Sequence, residues 1–277
     1  MMKVKDKKIL VVVMARSGIA AAKLLAARGA LPILNDSKEL SAFGDALDEL
    51  KALPCVWRFG CPAMDVLSEA EGVVISPVVP DTAPFVVKAR EMGLPVIGEL
   101  ELAYELALGD MVAVTGTNGK TTTVSLLGEM FKNAGKVTHV VGNIGYPYSA
   151  AAIDSRRTDV FVTEVSSFQL ETIVDFHPRA AALLNITEDH LNRHGTMAEY
   201  TRVKMRIFEN QTAQDAAVFN DDDPLSAPLA GQVKSHVLRF SRTHEVAEGA
   251  FARDGKIIIR FGGDDKVLCD ASEVRIP

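Results

Sequence analysis

Cysteine is scarce in this 277-residue chain, and long hydrophobic runs are missing from it. Three cysteines (Cys55, Cys61 and Cys269), odd in number and unclustered, exclude a disulfide framework and a metal site built on paired cysteines. The longest unbroken apolar run, Ile9 to Ala15, has seven residues, whereas a membrane-spanning helix needs about 20. Arg16 follows this run where a signal peptide would have small residues for cleavage, so we interpret the run as a buried first strand. We therefore expect a cytoplasmic protein that does not enter a membrane.

An excess of positive charge is also missing. The chain has 30 Lys and Arg against 36 Asp and Glu, a net charge of −6, which argues against a nucleic-acid partner. Residues 1–98 carry a net charge of +1, whereas residues 99–277 carry −7. The acidic part must therefore bind any polyanion locally, through backbone donors, one or two cations and a metal ion.

The chain does have a regular alternation of strand and helix patterns. A β-branched run at Lys8–Met14 predicts a strand buried on both faces, and the Ala/Leu-rich segment Gly18–Arg28 predicts the helix after it. The pattern repeats, with a second α/β unit beginning near Glu99, and predicts open parallel sheets. Near the end, the segments at 251–253, 256–261 and 266–269 predict a small antiparallel addition around the turn Asp254-Gly255.

The strongest motif is a glycine-rich turn between a strand and a helix. The apolar strand Met111–Thr115 leads into Gly116, Thr117, Asn118, Gly119, Lys120, Thr121 and Thr122. Glycines let backbone N–H groups converge on a phosphate, the helix N-terminus favours anions, and lysine and threonine suit phosphate and Mg²⁺. The strict phosphate-loop pattern has a glycine where Val114 stands, so the strand and the helix around the motif carry the prediction of nucleotide binding.

Three other polar positions follow predicted strands or lie on a helix. Glu164 ends the strand Val160–Glu164, at the sheet edge where parallel sheets bind ligands, and a carboxylate there can hold Mg²⁺. The pair Asp189-His190 follows the strand Ala180–Leu184. Such a pair suits a metal or phosphate site but is also common as a structural feature. Lys204 lies in a predicted helix, and its sequence position alone predicts a surface lysine.

Taken together, these motifs resemble the Mur ligases, and within that family the branch that adds D-glutamate. The resemblance extends over most of the chain and is carried by these segments, in family order: Ala15-Arg16-Ser17-Gly18, Gly98 to Ala103, Gly116 to Thr122, Gly142 to Gly145, Glu164 to Glu171, Asp189 to Leu191, Arg193 to Gly195, and Tyr200 through Lys204 to Phe208. The resemblance implies an α/β fold in which a Rossmann-like, UDP-sugar-binding domain (1–98) precedes a P-loop ATPase-type central domain (99–277) with a parallel sheet and a small antiparallel β addition.

The resemblance also implies an activity. ATP would phosphorylate the carboxylate of UDP-N-acetylmuramoyl-L-alanine, and the amine of D-glutamate would attack the acyl phosphate, in peptidoglycan precursor synthesis. Lys120 would hold the phosphates, Thr121 and Glu164 one Mg²⁺, and His190 a second Mg²⁺. Lys204 would be carbamylated and help to organise Mg²⁺, so the resemblance reverses the prediction of a surface lysine.

In the first domain, the resemblance implies UDP contacts from Ala15, Arg16, Ser17, Asp36 and Ser37. In the central domain, it implies contacts to the muramoyl part from Asn143 and Ser166. A dinucleotide fingerprint is not supported, because Val13 and Ala15 stand where two of its three glycines belong. Relatives usually have glycine at positions 13 and 78, and valine resists positive φ and adds bulk. We therefore expect Val13 and Val78 to weaken UDP-sugar binding.

Length is the larger departure from the family pattern. Relatives continue into a third domain that binds D-glutamate, and Ile276-Pro277 stands about where their next helix begins. We expect a C-terminally incomplete central domain and a monomeric chain that is inactive in ligation alone. Two alternatives stay open, namely another Mur-type ligase and a non-catalytic nucleotide-binding fragment.

Overall fold

The structure is a computed structural model, and it describes residues 2–143 and 145–274. Ile144 and the predicted helix start at Ile276-Pro277 lie outside the described residues. The chain forms two compact units. One comprises residues 1–110 and 128–176, and the other comprises residues 111–127 and 177–277. The predicted domains, 1–98 and 99–277, stay a prediction.

The first unit contains a five-stranded parallel sheet with the strand order β3-β2-β1-β4-β5. Its strands are β1 (Lys8–Val12), β2 (Leu31–Asp36), β3 (Val56–Phe59), β4 (Gly72–Ile75) and β5 (Val96–Gly98). The helices that connect or follow them are α1 (Arg16–Ala27), α2 (Ala63–Val66), α3 (Pro84–Glu91) and α4 (Glu99–Leu106), with short 3₁₀ helices at Leu40–Leu50 and Leu67–Glu69. This arrangement confirms the Rossmann-like prediction.

The sheet is buried on both faces. Alternate residues of β1 belong to two different apolar clusters. Ile9 and Val11 lie in one cluster, and Leu10 and Val12 lie in the other. Because successive strand side chains point to opposite faces, a continuous apolar run is what such a strand needs. The residue spacing at Ala42–Leu50 predicts a helix, but the segment Leu40–Leu50 is 3₁₀ and is interrupted at Gly44, where φ is 50°.

The same unit contains a parallel pair of strands, β7 (Thr138–Gly142) and β8 (Val160–Glu164), with α6 (Tyr148–Ala152) between them and α7 (Ser167–Leu170) after them. The helix α5 (Lys120–Asn133) begins in the second unit and ends in the first. Glu164 is the last residue of β8, as the sequence predicts.

In the second unit, seven strands follow one another in the order β14-β13-β12-β11-β10-β9-β6. They are β6 (Asp110–Thr115), β9 (Ala180–Leu183), β10 (Ala216–Asn220), β11 (His236–Ser241), β12 (Gly249–Arg253), β13 (Lys256–Phe261) and β14 (Asp264–Asp270). Pairing is parallel from β6 through β12 and antiparallel from β12 to β14, which confirms the predicted parallel sheet with a small antiparallel addition.

The helices of this unit are α8 (Leu191–His194) and α9 (Met197–Met205), with 3₁₀ segments at Arg206–Phe208, Ala227–Gln232 and Ala271–Glu273. The residue pattern predicts that the helix containing Lys204 runs over Met197–Asn210, whereas the α-helix ends at Met205 and a 3₁₀ segment follows. No helix among the described residues is long and apolar enough to cross a membrane.

Candidate functional site

The glycine-rich turn lies between β6 and α5 in the second unit. Gly119 has a φ of 83°, a left-handed conformation that favours glycine. At Gly116, an added Cβ would lie 3.1 Å from the Leu184 Cβ, so a side chain there would press on the segment after β9. Thr121 and Thr122 are exposed in the first turn of α5. The strand, loop and helix that the sequence predicts are therefore all present.

Asn185 fixes the shape of this turn. Its Oδ1 accepts hydrogen bonds from the backbone N–H groups of Thr117 (3.1 Å) and Asn118 (2.8 Å), and its Nδ2 donates to the Asn118 carbonyl (3.0 Å). Thr187 adds to the same connection, because its backbone N–H donates to Thr117 Oγ1 at 3.0 Å. The segment after β9 thus holds the turn in place before any ligand binds.

Two lysines converge on one carbonyl of the turn. Lys120 Nζ donates to the carbonyl oxygens of Gly116 and Thr117, both at 2.9 Å, and Lys204 Nζ donates to Gly116 at 2.8 Å. Lys120 gives the turn a local positive charge in an otherwise acidic part of the chain, and Lys204 adds to this charge when it is protonated. An anion with several oxygens, such as a polyphosphate, is the ligand that this charge favours.

Lys204 is buried, which corrects the surface position that its sequence alone predicts. Only 2% of the residue is exposed. Burial and, to a smaller extent, the positive charge of Lys120 lower the pKa of Lys204 to about 7, while Asp189 acts in the opposite direction. The amine therefore exchanges a proton near neutral pH, unlike an exposed lysine.

Tyr200 also belongs to this site. The sequence places it in a family segment but predicts no role for it. Its ring centroid lies 4.6 Å from Lys204 Nζ, and its hydroxyl lies 3.3 Å from Thr117 Oγ1. Helical spacing carries the signal, because Tyr200, Val203, Lys204, Ile207 and Phe208 follow the i, i+3, i+4, i+7, i+8 pattern of a buried face. Lys204 stands at a core position of that pattern.

His190 lies in the same unit as the turn, in the segment before α8. Its φ is 52°, a left-handed conformation that is uncommon for a residue other than glycine. Its backbone N–H donates to Asp189 Oδ1 at 2.8 Å, and its Nε2 lies 3.3 Å from Asp189 Oδ2. About half of the side chain is exposed, so the imidazole can reach a ligand from solvent.

Glu164 and Asn143 are brought together in the first unit. Asn143 Nδ2 donates to Glu164 Oε1 at 3.0 Å, and the Asn143 backbone N–H donates to the Glu164 carbonyl at 3.0 Å. Glu164 is almost fully buried. Ser166 caps α7 in a reciprocal arrangement with Gln169, in which Gln169 Oε1 accepts from the Ser166 backbone N–H (3.0 Å) and Ser166 Oγ accepts from the Gln169 N–H (3.3 Å). Ser166 is thus held by local structure.

A cavity of about 280 Å³ lies in the first unit, at the start of α1. It is lined by Ala15, Arg16, Ser17, Ser76, Pro77, Val78, Glu99, Gly142, Asn143, Gly145, Pro147 and Gln169. Of the predicted substrate-binding residues, Ala15, Arg16, Ser17 and Asn143 line this cavity, whereas Asp36, Ser37 and Ser166 are not among its lining residues. The sequence reasoning assigned no role to Glu99 or Gln169.

Asp36 supports the loop that leads to this cavity. Its Oδ2 accepts from the Met14 backbone N–H at 2.9 Å, and its Oδ1 accepts from the Lys38 N–H at 3.0 Å. Ser37 beside it is exposed. Asp36 therefore ties the end of β2 to the β1–α1 loop through both carboxylate oxygens.

The two valines that depart from the family pattern differ in backbone conformation. Val13 has a φ of 73°, so a β-branched residue occupies a left-handed position. Val78 is not among the described non-glycine residues with positive φ, so the argument from φ is wrong for Val78 and only the argument from bulk applies. Val78 is 65% exposed and lines the cavity.

The fold and the glycine-rich turn place the chain among α/β proteins with a phosphate-binding loop. Two family models match the sequence: the Mur ligase middle domain over residues 114–270 and the Mur ligase MurD-like N-terminal domain over residues 7–98. The chain belongs to the Mur ligase family.

Curated relatives agree with this assignment. A UDP-N-acetylmuramoylalanine--D-glutamate ligase of Alkaliphilus oremlandii is 46% identical over 278 residues, and one of Thermoanaerobacter pseudethanolicus is 43% identical over 276 residues. Each comparison covers 100% of this chain and 61% of the relative. The chain thus spans about three fifths of the length of these relatives.

Solved structures share the fold. The UDP-N-acetylmuramate:L-alanyl-gamma-D-glutamyl-meso-diaminopimelate ligase of Neisseria meningitides has a TM-score of 0.60 and 19% sequence identity. The comparison covers 94% of this chain and 85% of that one. At this identity the likeness supports the fold alone.

Proposed function

We propose that this chain carries the ATP-binding and nucleotide-sugar-binding parts of a ligase that joins D-glutamate to UDP-N-acetylmuramoyl-L-alanine. The position of Lys120 at the start of α5 carries the proposal, because it places a cation and a helix N-terminus at the glycine-rich turn (the phosphate loop, Gly116–Thr122). The names of the relatives supply the reaction. The cavity at the start of α1 is the candidate nucleotide-sugar site.

The reaction follows from charge neutralisation and positioning. The substrate carboxylate attacks the γ-phosphate of ATP to give an acyl phosphate and ADP, and the amine of D-glutamate then displaces phosphate to form the amide. No protein nucleophile is needed, since phosphoryl transfer depends on alignment and on neutralising the phosphate oxygens. Lys120 would exchange its carbonyl partners for β- and γ-phosphate oxygens, while Asn185 keeps the loop in shape.

Three of the four predicted metal ligands can bind Mg²⁺ as unmodified side chains. The hydroxyl of Thr121 and the carboxylate of Glu164 are hard oxygen donors of the kind that Mg²⁺ prefers, and His190 offers an imidazole. Mg²⁺ would neutralise phosphate charge when it is bound. The ammonium of Lys204 cannot serve as a ligand, so its predicted role requires a chemical change.

Carbamylation would make that change. A neutral amine attacks CO₂, forms a C–N bond and releases a proton, which leaves a carbamate anion. With a pKa of about 7, Lys204 has a large neutral fraction near neutral pH, as the reaction needs. The carbamate would then add an oxygen donor at a buried position beside the phosphate loop.

Calorimetry on the 277-residue chain tests the proposed substrate. The chain would be titrated with UDP-N-acetylmuramate, UDP-N-acetylmuramoyl-L-alanine and UDP-N-acetylmuramoyl-L-alanyl-D-glutamate, each with ATP and Mg²⁺ present. We expect the tightest binding for UDP-N-acetylmuramoyl-L-alanine. Tighter binding of either other sugar would assign the chain to another branch of the family, and ATP binding without binding of any of the three would favour a nucleotide-binding fragment.

A further inference from the structure

Glu99 is a buried acidic residue in the candidate nucleotide-sugar cavity. It is the first residue of α4, 3% exposed, and it lines the cavity together with the start of α1. Burial raises the pKa of its carboxyl group, and hydrogen bonds from Ser149 offset only part of this rise. A carboxylate is costly to bury without full hydrogen bonding, so this residue calls for an explanation.

Ser149 supplies fewer hydrogen bonds than the Glu99 carboxylate can accept. Its backbone N–H donates to Glu99 Oε1 at 2.7 Å, and its hydroxyl lies 3.5 Å from the Glu99 carbonyl. An ionised carboxylate has about four acceptor positions, and one serine supplies at most two donors. Because Glu99 lines the cavity, the remaining acceptor capacity is available to a ligand there.

Glu101 shows what a purely structural carboxylate looks like on the same helix. It is fully buried, and its two oxygens accept from the backbone N–H groups of Val174 (2.9 Å), Asp175 (2.6 Å) and Phe176 (3.2 Å). Glu101 is not among the residues that line the cavity. Glu101 is thus bonded to backbone N–H groups on both oxygens and lies away from the cavity, whereas Glu99 lines the cavity and accepts from one backbone N–H group.

The residues that line the cavity include groups of opposite charge, Arg16 and Glu99. Arg16 and the N-terminus of the 12-residue helix α1 make one part favourable for phosphate. A hydrogen-bond donor supplied by a ligand favours the ionised form of Glu99, which repels phosphate and attracts N–H and O–H donors. A nucleotide sugar has both features, with a diphosphate at one end and a hexose bearing hydroxyl and amide donors at the other.

We propose that Glu99 is a specificity-determining contact of the nucleotide-sugar site, accepting a hydrogen bond from an N–H or O–H donor of the hexose part of the ligand. The inference rests on the proposed function, since it takes this cavity as the nucleotide-sugar site. It assigns the hexose to the Glu99 end of the cavity and the diphosphate to the Arg16 end.

The test compares Glu99→Gln with Glu101→Gln in the 277-residue chain. Glutamine at 99 keeps an oxygen for the Ser149 N–H but turns an amide donor toward the ligand. Calorimetry with UDP and with UDP-N-acetylmuramoyl-L-alanine separates the two ends of the ligand. We expect Glu99→Gln to weaken binding of the nucleotide sugar about tenfold or more and to change UDP affinity less than twofold.

The control variant separates stability from recognition. Glu101→Gln loses hydrogen bonds to the backbone and should lower the melting temperature, while the ratio of nucleotide-sugar affinity to UDP affinity stays at the wild-type value. If Glu99→Gln does not fold, Glu99→Asp serves instead, because it keeps the charge but withdraws it by one methylene, and we expect the same selective loss. Unchanged or tighter binding of the nucleotide sugar by a folded Glu99 variant would overturn the inference.

The outcomes also separate this inference from the proposed function. A wild-type chain that binds neither UDP nor the nucleotide sugar would overturn both. A wild-type chain that binds the nucleotide sugar more tightly than UDP, together with a Glu99→Gln variant that does the same, would leave the proposed function standing and remove only the role of Glu99.

Discussion

Val13 occupies a backbone conformation that suits glycine. The left-handed region costs a residue with a Cβ about 1–2 kcal/mol, and glycine in turn costs about 0.5–1 kcal/mol in unfolded-chain entropy. Val13 also packs in part against an apolar cluster of the first unit, which reduces the gain from its removal. We therefore expect Val13→Gly to stabilise the chain by about 0.5 kcal/mol, measured by denaturant unfolding.

Val78→Gly is the matched comparison. Val78 is exposed and lacks a positive φ, so glycine brings only its entropic cost there, and we expect a loss of about 0.5–1 kcal/mol. Both substitutions remove bulk where the backbone is expected to approach UDP, and both should raise UDP-sugar affinity. Equal stability changes for the two variants would contradict the strain argument, and unchanged affinities would contradict the argument from bulk.

Lys120 is the residue on which the proposed nucleotide binding depends most directly. A hydrogen bond to a charged group contributes about 1.5–3 kcal/mol, so Lys120→Ala should weaken ATP binding by about 10- to 100-fold in calorimetry. Lys132→Ala is the control, because Lys132 lies in the same helix, exposed, and pairs with Glu129 at 2.8 Å. ATP binding by Lys120→Ala at the wild-type affinity would remove the phosphate assignment.

Single residues also show where sequence reasoning stops. The glycine-rich turn with Lys120 could be predicted, because a local pattern of strand, glycines and helix defines it. The burial of Lys204 was not predicted from its own sequence position, since lysine is rarely buried and the composition of a helix does not reveal its packing partners. The helical spacing from Tyr200 to Phe208 contained the signal, and Glu99 had no comparable signal because its cavity brings together segments distant in sequence.

At the scale of elements, the segment after β9 and the phosphate loop form one hydrogen-bonded structure. Asn185 makes three hydrogen bonds to Thr117 and Asn118, and each contributes about 0.5–1.5 kcal/mol. We expect Asn185→Ala to lower the free energy of unfolding by about 1–3 kcal/mol and to weaken ATP binding several-fold, because the loop must then be ordered on binding.

Asn133→Ala is the control for this variant, since Asn133 is exposed at the end of α5. Urea unfolding and ATP calorimetry would be measured on both variants. A loss of stability in Asn185→Ala without any loss of ATP affinity would show that the loop keeps its shape without this connection.

Elements differ in how well the sequence predicts them. The buried strands β1, β6 and β8 were predicted to within a residue or two, because apolar runs bounded by turn residues indicate such strands. The strand β11 was missed, since it contains His236 and Arg239 and is only partly buried, so neither alternation nor a continuous apolar run marks it. The break at Gly44 in the predicted helix follows from a backbone conformation that residue patterns do not encode.

At the scale of the whole molecule, the chain is acidic but builds its predicted phosphate site from cations. The net charge is −6, and residues 99–277 carry most of the excess. The proposed affinity for ATP must therefore come from short-range contacts to Lys120 and the loop backbone, and not from long-range attraction. Burying Lys204 has a cost, because desolvation and the nearby charge of Lys120 disfavour its ammonium form, and this cost is measurable in the stability of the whole chain.

That cost predicts how the stability of the whole chain varies with pH. In the folded chain the pKa of Lys204 is about 7, whereas an unfolded lysine keeps its ordinary value of 10.5. Between these values the unfolded chain binds one more proton at this site, so stability rises with pH, by up to about 1.4 kcal/mol per pH unit. Below pH 7 both states are protonated, and the full cost of burying the charge remains.

Lys204→Met isolates this contribution, because it keeps an unbranched side chain of similar length and removes the titrating group. We expect the wild-type chain to lose stability relative to Lys204→Met as pH falls from about 9.5 to 7, and the difference to level off below 7. Denaturant unfolding at half-unit pH steps measures it, and subtracting the variant removes the contributions of the other titrating groups. A difference that is independent of pH across this range would show that Lys204 keeps its proton in the folded chain, and the argument for a reactive neutral amine beside the phosphate loop would fail with it.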